Sequence, residues 1–253
     1  TQTTPCRNLA AALAQVAADG EIIVLSTGEY DTAPLLIGKG VKITSPSGTV
    51  ALVRQPITIN ASGGRVVLRG LDLKGTGTGD GITVIAADGV SIEDTSFDRW
   101  TIGLRLNAGL VSQVSVVNSV FRFNGTGMKD MGSSTMNRAS ISGSRFEANV
   151  VGLETLGGVH TVSDTAFIGP AIAGITAFSS SVDIRRSEFW KTGPGAAVAA
   201  FTGAVIRVSR SHIFGNGVGL DAAGGGSIVS SGTNVIRRNG TNTLGTISLL
   251  PEQ

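Results

Sequence analysis

Large apolar residues recur at one position of a short unit that repeats along most of the chain. Successive copies lie 21 to 25 residues apart, and the eight marker residues are Leu73, Phe97, Phe121, Phe146, Phe167, Phe189, Ile213 and Ile236. A unit of this length cannot bury its own apolar face. Repeats of this period therefore indicate a solenoid, in which each copy packs on its neighbours.

An alternation of apolar and polar residues precedes each marker. It is seen in Val114-Ser115-Val116 before Phe121 and in Val182-Asp183-Ile184 before Phe189. A period of two residues predicts a short, half-buried strand. A second strand is predicted after a glycine-containing turn in most units, for example at Gly103-Leu104.

Small hydroxyl residues stand two positions before the marker in six units: Thr95, Ser119, Ser144, Thr165, Ser187 and Ser211. The residues before them are Asp94, Asn118, Gly143, Asp164, Arg186 and Arg210. Glycine, asparagine and aspartate are typical of a bend with a left-handed residue. The two arginines fit that interpretation poorly.

Several short strands per unit, with no helix between them, predict an all-β parallel β-helix, in which equivalent side chains form ladders about 4.8 Å apart. A β-sandwich or a propeller is the alternative, and Asn-Gly hairpin turns would favour it. Such pairs occur at Asn124-Gly125, Asn216-Gly217 and Asn239-Gly240. Because they fall at one position of the repeat, we interpret them as corners of the coil.

Residues 5–19 form the predicted helix, with Leu9, Leu13 and Val16 on one face. A helix at this end would cover the first coil, whose open strand edge would otherwise invite aggregation. We expect coils over residues 20–240 and a last strand and cap over 241–253. No linker composition interrupts the repeat, so residues 1–253 are predicted to form a single domain.

Composition excludes several classes of partner. A net charge of +2 without a basic block does not indicate nucleic-acid binding. No apolar run approaches the roughly 18 residues of a membrane span. Cys6 is the only cysteine, so an internal disulfide is excluded and pairing outside this chain stays open. Neither histidine has metal-ligand spacing, and no cofactor is expected.

The segments Asp19–Leu25, Gly28–Tyr30 and Val41–Thr44, together with the later repeats, resemble the pectin-lyase-like right-handed parallel β-helix superfamily. The chain is also similar to bacterial secreted β-helix-repeat proteins of unassigned function, in which Thr4-Pro5-Cys6 before a helix is a typical beginning. The resemblance implies a right-handed coil. It also implies a secreted, periplasmic or cell-surface location after removal of a signal peptide.

Enzymes of this superfamily act mostly on polysaccharides, yet their motifs do not match here. Neither His160 nor His212 is flanked by glycines on both sides, and the sequence Asp-Pro-His-Asp is absent. No catalytic residue is therefore assigned, and whether the chain is an enzyme stays open.

Charged residues follow the second predicted strand at equivalent positions in three successive units. Stacking would place Arg105, Lys129 and Glu154 next to one another, with Asp130 nearby. We call Arg105, Lys129 and Glu154 the charged strip. By the resemblance, such a strip could bind a polyanionic sugar or supply the base of a β-elimination. The alternative is a solvated face with a weak Lys129–Glu154 pair.

Two tryptophans and one histidine are further candidates. Trp100 and Trp190 fall near corners, where they could stack on sugar rings or simply fill space. His160 interrupts a column of Val, Ala and Ile, which is more typical of a hydrogen-bonded core residue than of a ligand.

Three hypotheses of function follow. The first is a non-catalytic scaffold that binds a polysaccharide or a cell-surface partner along one outer sheet face. The second is a polysaccharide lyase, or a related enzyme, that acts on uronate-containing glycans. The third is self-assembly into an oligomer through apolar patches at Ala171–Phe178 and Ala196–Phe201.

Overall fold

The computed structural model describes residues 5–111, 113–132 and 137–250, so predictions for residues 1–4 and 251–253 lie outside the described residues. The helix is α1 (Leu9–Gln15). In chain order the strands are β1 (Gly20–Ile23), β2 (Gly28–Glu29), β3 (Leu35–Ile37), β4 (Val41–Thr44), β5 (Ala51–Val53), β6 (Ile57–Arg69), β7 (Leu71–Lys74), β8 (Asp80–Glu93), β9 (Ser96–Asp98), β10 (Ile102–Val111), β11 (Val114–Val117), β12 (Val120–Arg122), β13 (Thr126–Asp130), β14 (Arg138–Ser142), β15 (Arg145–Glu147), β16 (Val151–Thr155), β17 (Val159–Ser163), β18 (Ala166–Ile168), β19 (Ala173–Ala177), β20 (Ser181–Arg185), β21 (Glu188–Trp190), β22 (Ala196–Phe201), β23 (Val205–Ser209), β24 (His212–Phe214), β25 (Val218–Gly224), β26 (Ser227–Ser231), β27 (Val235–Arg237), β28 (Thr241–Leu244) and β29 (Ile247–Leu250).

The strands wind into coils with three faces. Face 1 contains β10, β13, β16, β19, β22, β25 and β28, and face 2 contains β11, β14, β17, β20, β23, β26 and β29. The long strands β6 and β8 contribute to both of these faces. Face 3 is a ten-stranded sheet of β2, β5, β7, β9, β12, β15, β18, β21, β24 and β27. Each strand pairs in parallel with its equivalents in neighbouring coils. This pairing confirms the predicted parallel β-helix and contradicts the β-sandwich and propeller alternatives.

The eight marker residues form one column inside face 3. The registered pairs run without interruption from Leu73 to Ile236. The five phenylalanine rings stack with centroids 4.4 to 4.8 Å apart and planes within 9° of parallel. This separation is close to the distance between neighbouring strands, so the sequence repeat corresponds to one turn of the coil.

The hydroxyl residues tie each coil to the next at the bend between faces 2 and 3. Ser119 Oγ donates to the carbonyl of Val117 at 2.9 Å and accepts from the Thr95 amide at 3.2 Å. The residue before each hydroxyl has positive φ, including Arg186 at 47° and Arg210 at 49°. The arginines therefore do occupy the left-handed bend. Arg186 donates to both carboxylate oxygens of Asp164, its equivalent one coil earlier, at 2.7 and 2.8 Å.

Asparagines form a second ladder at the corner between faces 3 and 1. Asn124 Oδ1 accepts from the Trp100 amide at 2.9 Å, while Asn124 Nδ2 donates to the carbonyl of Phe97 at 3.1 Å. Asn216 and Asn239 repeat this arrangement. The interpretation of the Asn-Gly pairs as corners of the coil is therefore correct. Asn149 extends the ladder although no glycine follows it.

Helix α1 is shorter than the predicted 5–19 at both ends. Asn8 caps its beginning, because Asn8 Oδ1 accepts from the Ala11 amide at 2.8 Å. It ends where Val16 becomes extended, at a point where Lys39 Nζ donates to the Val16 carbonyl. Leu9 and Leu13 are buried, and the helix packs against β1 and β3.

Parallel pairing continues past the predicted last coil at residue 240. Strand β28 pairs with β25, and β29 pairs with β26. The predicted last strand is therefore part of a further turn. Many of its side chains are exposed, including Leu249 at 77% and Leu250 at 53%.

Candidate functional site

The charged strip lies on face 1, where Arg105, Lys129 and Glu154 are paired in register on β10, β13 and β16. Lys129 Nζ lies 3.0 Å from Glu154 Oε1. Arg105 Nε lies 2.6 Å from Asp80 Oδ2, at the start of β8. The four side chains are between 19% and 28% exposed. The structure therefore brings these three candidates together and adds Asp80, which the sequence interpretation missed.

A row of apolar side chains lies two residues further along the chain than Lys129, Glu154 and the residues registered with them in the next coils, Thr176 and Ala199. We call Met131, Leu156, Phe178 and Phe201 the apolar row. All four are partly exposed, and the rings of Phe178 and Phe201 stack with centroids 4.6 Å apart. Their spacing of two residues from the strip position was visible in the sequence. The sequence interpretation assigned Phe178 and Phe201 to the patches predicted for self-assembly and did not connect them with the charged strip.

Asp130 does not lie on the outer surface with the charged strip. It follows Lys129 directly, and successive side chains of a strand point to opposite sides. Its side chain is fully buried and is registered with Leu106 and Thr155. A direct surface contact between Asp130 and a polymer is therefore ruled out in this conformation.

Asp130 instead forms a buried cluster with Asn137 and His160. Asp130 Oδ1 accepts from Asn137 Nδ2 and from the Gly132 amide, each at 2.8 Å. His160 Nε2 lies 2.8 Å from the carbonyl of Gly157 and 3.4 Å from Asp130 Oδ2. Because a carbonyl only accepts, His160 Nε2 carries a proton. His160 is thus the hydrogen-bonded core residue that the sequence predicts, with a partner that the sequence did not reveal.

Burial keeps both ionisable members of this cluster towards their neutral forms. It raises the pKa of the Asp130 carboxyl, although the donors Gly132 and Asn137 act in the opposite direction. It lowers the pKa of the His160 imidazole, while the Gly157 carbonyl and Asp130 oppose this shift. Among the described residues, Asp130 Oδ2, Asn137 Oδ1 and His160 Nδ1 have no hydrogen-bond partner. This cluster is inside the coil and is not part of the outer surface.

The two tryptophans lie apart from the charged strip. Trp100 is only 3% exposed, and its Nε1 donates to the carbonyl of Leu73 at 3.3 Å. It fills a corner and cannot stack on a polymer in this conformation. Trp190 is partly exposed on face 3, where its ring lies 5.6 Å from that of Phe214 and 5.2 Å from Lys191 Nζ. It therefore belongs to a different surface.

A groove of about 640 Å³ lies between α1 and β1. Its lining includes the exposed, free Cys6 together with Ile23 and Tyr30. None of the predicted candidate residues lines this groove.

The residues that the structure describes contain no group of three or more His, Cys, Asp or Glu side chains arranged to hold a metal ion. None of their helices has the length and apolar character needed to cross a membrane.

Comparison with known proteins adds little beyond the fold. No family model matches the chain, and none of the curated proteins gives a significant match. Among solved structures, the chain is similar to the crystal structure of pectate lyase Pel9A, with 20% sequence identity and a TM-score of 0.45. That similarity covers 100% of this chain and 74% of the other. The strand pairing itself shows that the chain has a parallel β-helix fold.

Proposed function

We propose that the protein is a non-catalytic β-helix scaffold that binds a polysaccharide along face 1. The observation that supports this proposal is the charged strip lying beside the apolar row on one rigid sheet. A sugar ring presents hydroxyl groups at its edge and C–H groups on its faces. Parallel polar and apolar rows suit both kinds of surface, and the two stacked phenylalanines add apolar surface to the row.

The pairing of the charges favours binding over catalysis. A base for β-elimination has to reach the substrate proton in a basic form. Arg105 and Lys129 each have a carboxylate partner already, in Asp80 and Glu154. Neither cation is therefore free to serve as that base. Lyase activity on uronate-containing glycans remains the alternative outcome of the experiment below.

Two other elements belong to the proposal. A polysaccharide ligand outside the cell requires a secreted or cell-surface location. Oligomerisation through the predicted patches has less surface available than the sequence suggested, because Ala173, Ala177 and all five residues of Ala196–Ala200 are buried. Ala171 and Ile172 are the exposed residues of these patches, Ile172 with an exposed fraction of 56%.

The proposal is tested by screening the full chain against a glycan panel. Affinity electrophoresis measures binding, while ultraviolet absorbance of unsaturated products and an assay of new reducing ends measure cleavage. We expect binding without cleavage, and weaker binding by Lys129→Ala and Phe178→Ala. Ser140→Ala is the control, because Ser140 is exposed on face 2.

The outcomes separate the hypotheses. Binding that both face 1 variants weaken and the control preserves would support the proposal. Cleavage that disappears in Lys129→Ala would establish the lyase alternative instead. Binding that neither face 1 variant changes would place the ligand on another surface and contradict the proposal.

A further inference from the structure

We propose, on the basis of the proposed function, that face 1 selects an uncharged polysaccharide and discriminates against a polyuronate. Polyuronates are polymers in which every sugar carries a carboxylate. The inference begins with the charge balance of the site. Two cations, Arg105 and Lys129, are each matched by one carboxylate, Asp80 or Glu154, within 2.6 and 3.0 Å.

The pairs are intramolecular and only partly hydrated. With each side chain less than a third exposed, salt screens the two attractions less than it would screen pairs in bulk solvent. A uronate carboxylate approaching Lys129 would also approach Glu154, so attraction and repulsion nearly cancel. The carboxylate would still lose hydration on entering the site. Face 1 therefore offers a polyanion little net electrostatic gain.

An uncharged sugar avoids this penalty. An ammonium group has three donors and a guanidinium has five, so Lys129 and Arg105 retain N–H groups beyond those used by their carboxylate partners. The carboxylates of Asp80 and Glu154 can accept from sugar hydroxyl groups. The paired charges thus offer both donors and acceptors, with the two cations on neighbouring strands between the two carboxylates.

The apolar row sets the direction in which the ligand would lie. Phe178 directly follows β19, and Phe201 is the last residue of the neighbouring strand β22, so both lie beyond Met131 and Leu156 along the solenoid. Strands of the sheet are about 4.8 Å apart, so the path from Arg105 to Phe201 spans about 19 Å. A polymer running across the strands would contact the charged strip first and the stacked rings next. The ligand that fits this path is a chain of several sugars whose C–H groups contact the two rings.

The test compares polymers that differ in charge and share one backbone. Polygalacturonate is paired with its fully methyl-esterified form, and carboxymethyl cellulose is paired with hydroxyethyl cellulose. Affinity is measured at low and at physiological salt. We expect binding to at least one uncharged member, little change of that affinity with salt, and binding at least about tenfold weaker to its charged counterpart.

A pair of variants isolates the charge balance. Glu154→Gln removes the partner of Lys129 and should strengthen polyuronate binding about tenfold, with a new salt dependence. Glu147→Gln is the matched control. It breaks a pair of similar length, with Arg145 at 3.2 Å, but lies on face 3. The control should bind every polymer as the unmodified protein does.

The results distinguish this inference from the proposed function. Tighter binding of the charged polymers would overturn the selection for uncharged ligands and leave polysaccharide binding intact. No binding to any polymer would overturn both. Equal gains in the two variants would show that overall net charge, and not the pairing on face 1, governs binding.

Discussion

Replacing Phe146 by leucine tests whether the aromatic column stabilises the coil by more than apolar burial. Phe146 is 1% exposed, and its ring lies 4.6 Å from Phe121 and 4.8 Å from Phe167. Leu73 occupies the same column at its beginning, so leucine is compatible with the backbone at this position. The substitution removes two ring–ring contacts and keeps an apolar side chain.

Phe189→Leu is the matched control for this substitution. Phe189 stacks on Phe167, but its other neighbour in the column is Ile213. Phe146 and Phe189 each pack against a glycine on face 1, Gly127 and Gly174 respectively. The loss of apolar volume and the local surroundings are therefore nearly the same, and the two variants differ by one aromatic contact.

The expected magnitudes follow from these contacts. An aromatic pair contributes about 0.5–1.5 kcal/mol beyond the area that it buries. The change of shape from phenylalanine to leucine costs up to about 1.5 kcal/mol at either position. Phe146→Leu should therefore lower the free energy of unfolding by about 1 kcal/mol more than Phe189→Leu does.

Urea denaturation followed by circular dichroism measures this difference. An unchanged dependence of the free energy on urea concentration would show that the variants unfold over the same surface area. If the two variants lost equal stability, the rings would act as apolar filler and the stacking argument would be refuted. A larger loss for Phe189→Leu would contradict it as well.

Three further predictions concern the ladder, the buried cluster and the second aromatic surface. Ser119→Ala leaves the buried Thr95 amide without its acceptor and should lower the free energy of unfolding by about 1–3 kcal/mol. The control Ser140→Ala, at an exposed site, should change the free energy of unfolding by less than about 0.5 kcal/mol in the same urea assay. Because burial lowers the pKa of His160, the folded state resists a protonation that the unfolded state accepts near pH 6.5, so stability falls as the pH drops below about that value. His160→Val removes this loss, so the free energy of unfolding of the variant, relative to that of the unmodified protein, should rise as the pH is lowered from about 8 to about 5 in urea denaturation. A difference that stays constant with pH would contradict the lowered pKa of His160. Trp190→Ala, on face 3, should leave polysaccharide affinity in affinity electrophoresis unchanged, and a loss of binding would move the site away from face 1.

The sequence predicted the interior better than the surface. The Phe column, the hydroxyl ladder and the Asn-Gly corners all appeared as repeated residue types at fixed spacing, and each occupies one column of the structure. Such features recur because the same local environment recurs in every coil. Arg186 and Arg210 show the limit of this reasoning, because arginine is not typical of the left-handed conformation that both residues adopt.

The candidate site depended on details that spacing does not encode. Lys129 and Asp130 are neighbours in the chain, yet the Lys129 side chain points outward and the Asp130 side chain is buried. Asp130 lies in a cluster with His160, which is 30 residues further along the chain. Tryptophan is a residue type that can stack on sugar rings, but Trp100 is buried and fills a corner of the coil. Asp80 lies three residues before Thr83, the residue of β8 that is registered with Arg105. It contributes to the site only because the Arg105 side chain extends to its carboxylate.

The sequence by itself determined the period of the repeat, the alternation of buried and exposed positions and hence the parallel coil, because these are local patterns that each unit repeats. The tertiary structure decided that Arg105 pairs with Asp80, which polar residues are enclosed and which apolar side chains form a row on face 1. Those properties depend on contacts between residues one or more coils apart. A side chain's partner across a 3 Å gap is set by register and rotamer, which the order of residues along one unit does not specify.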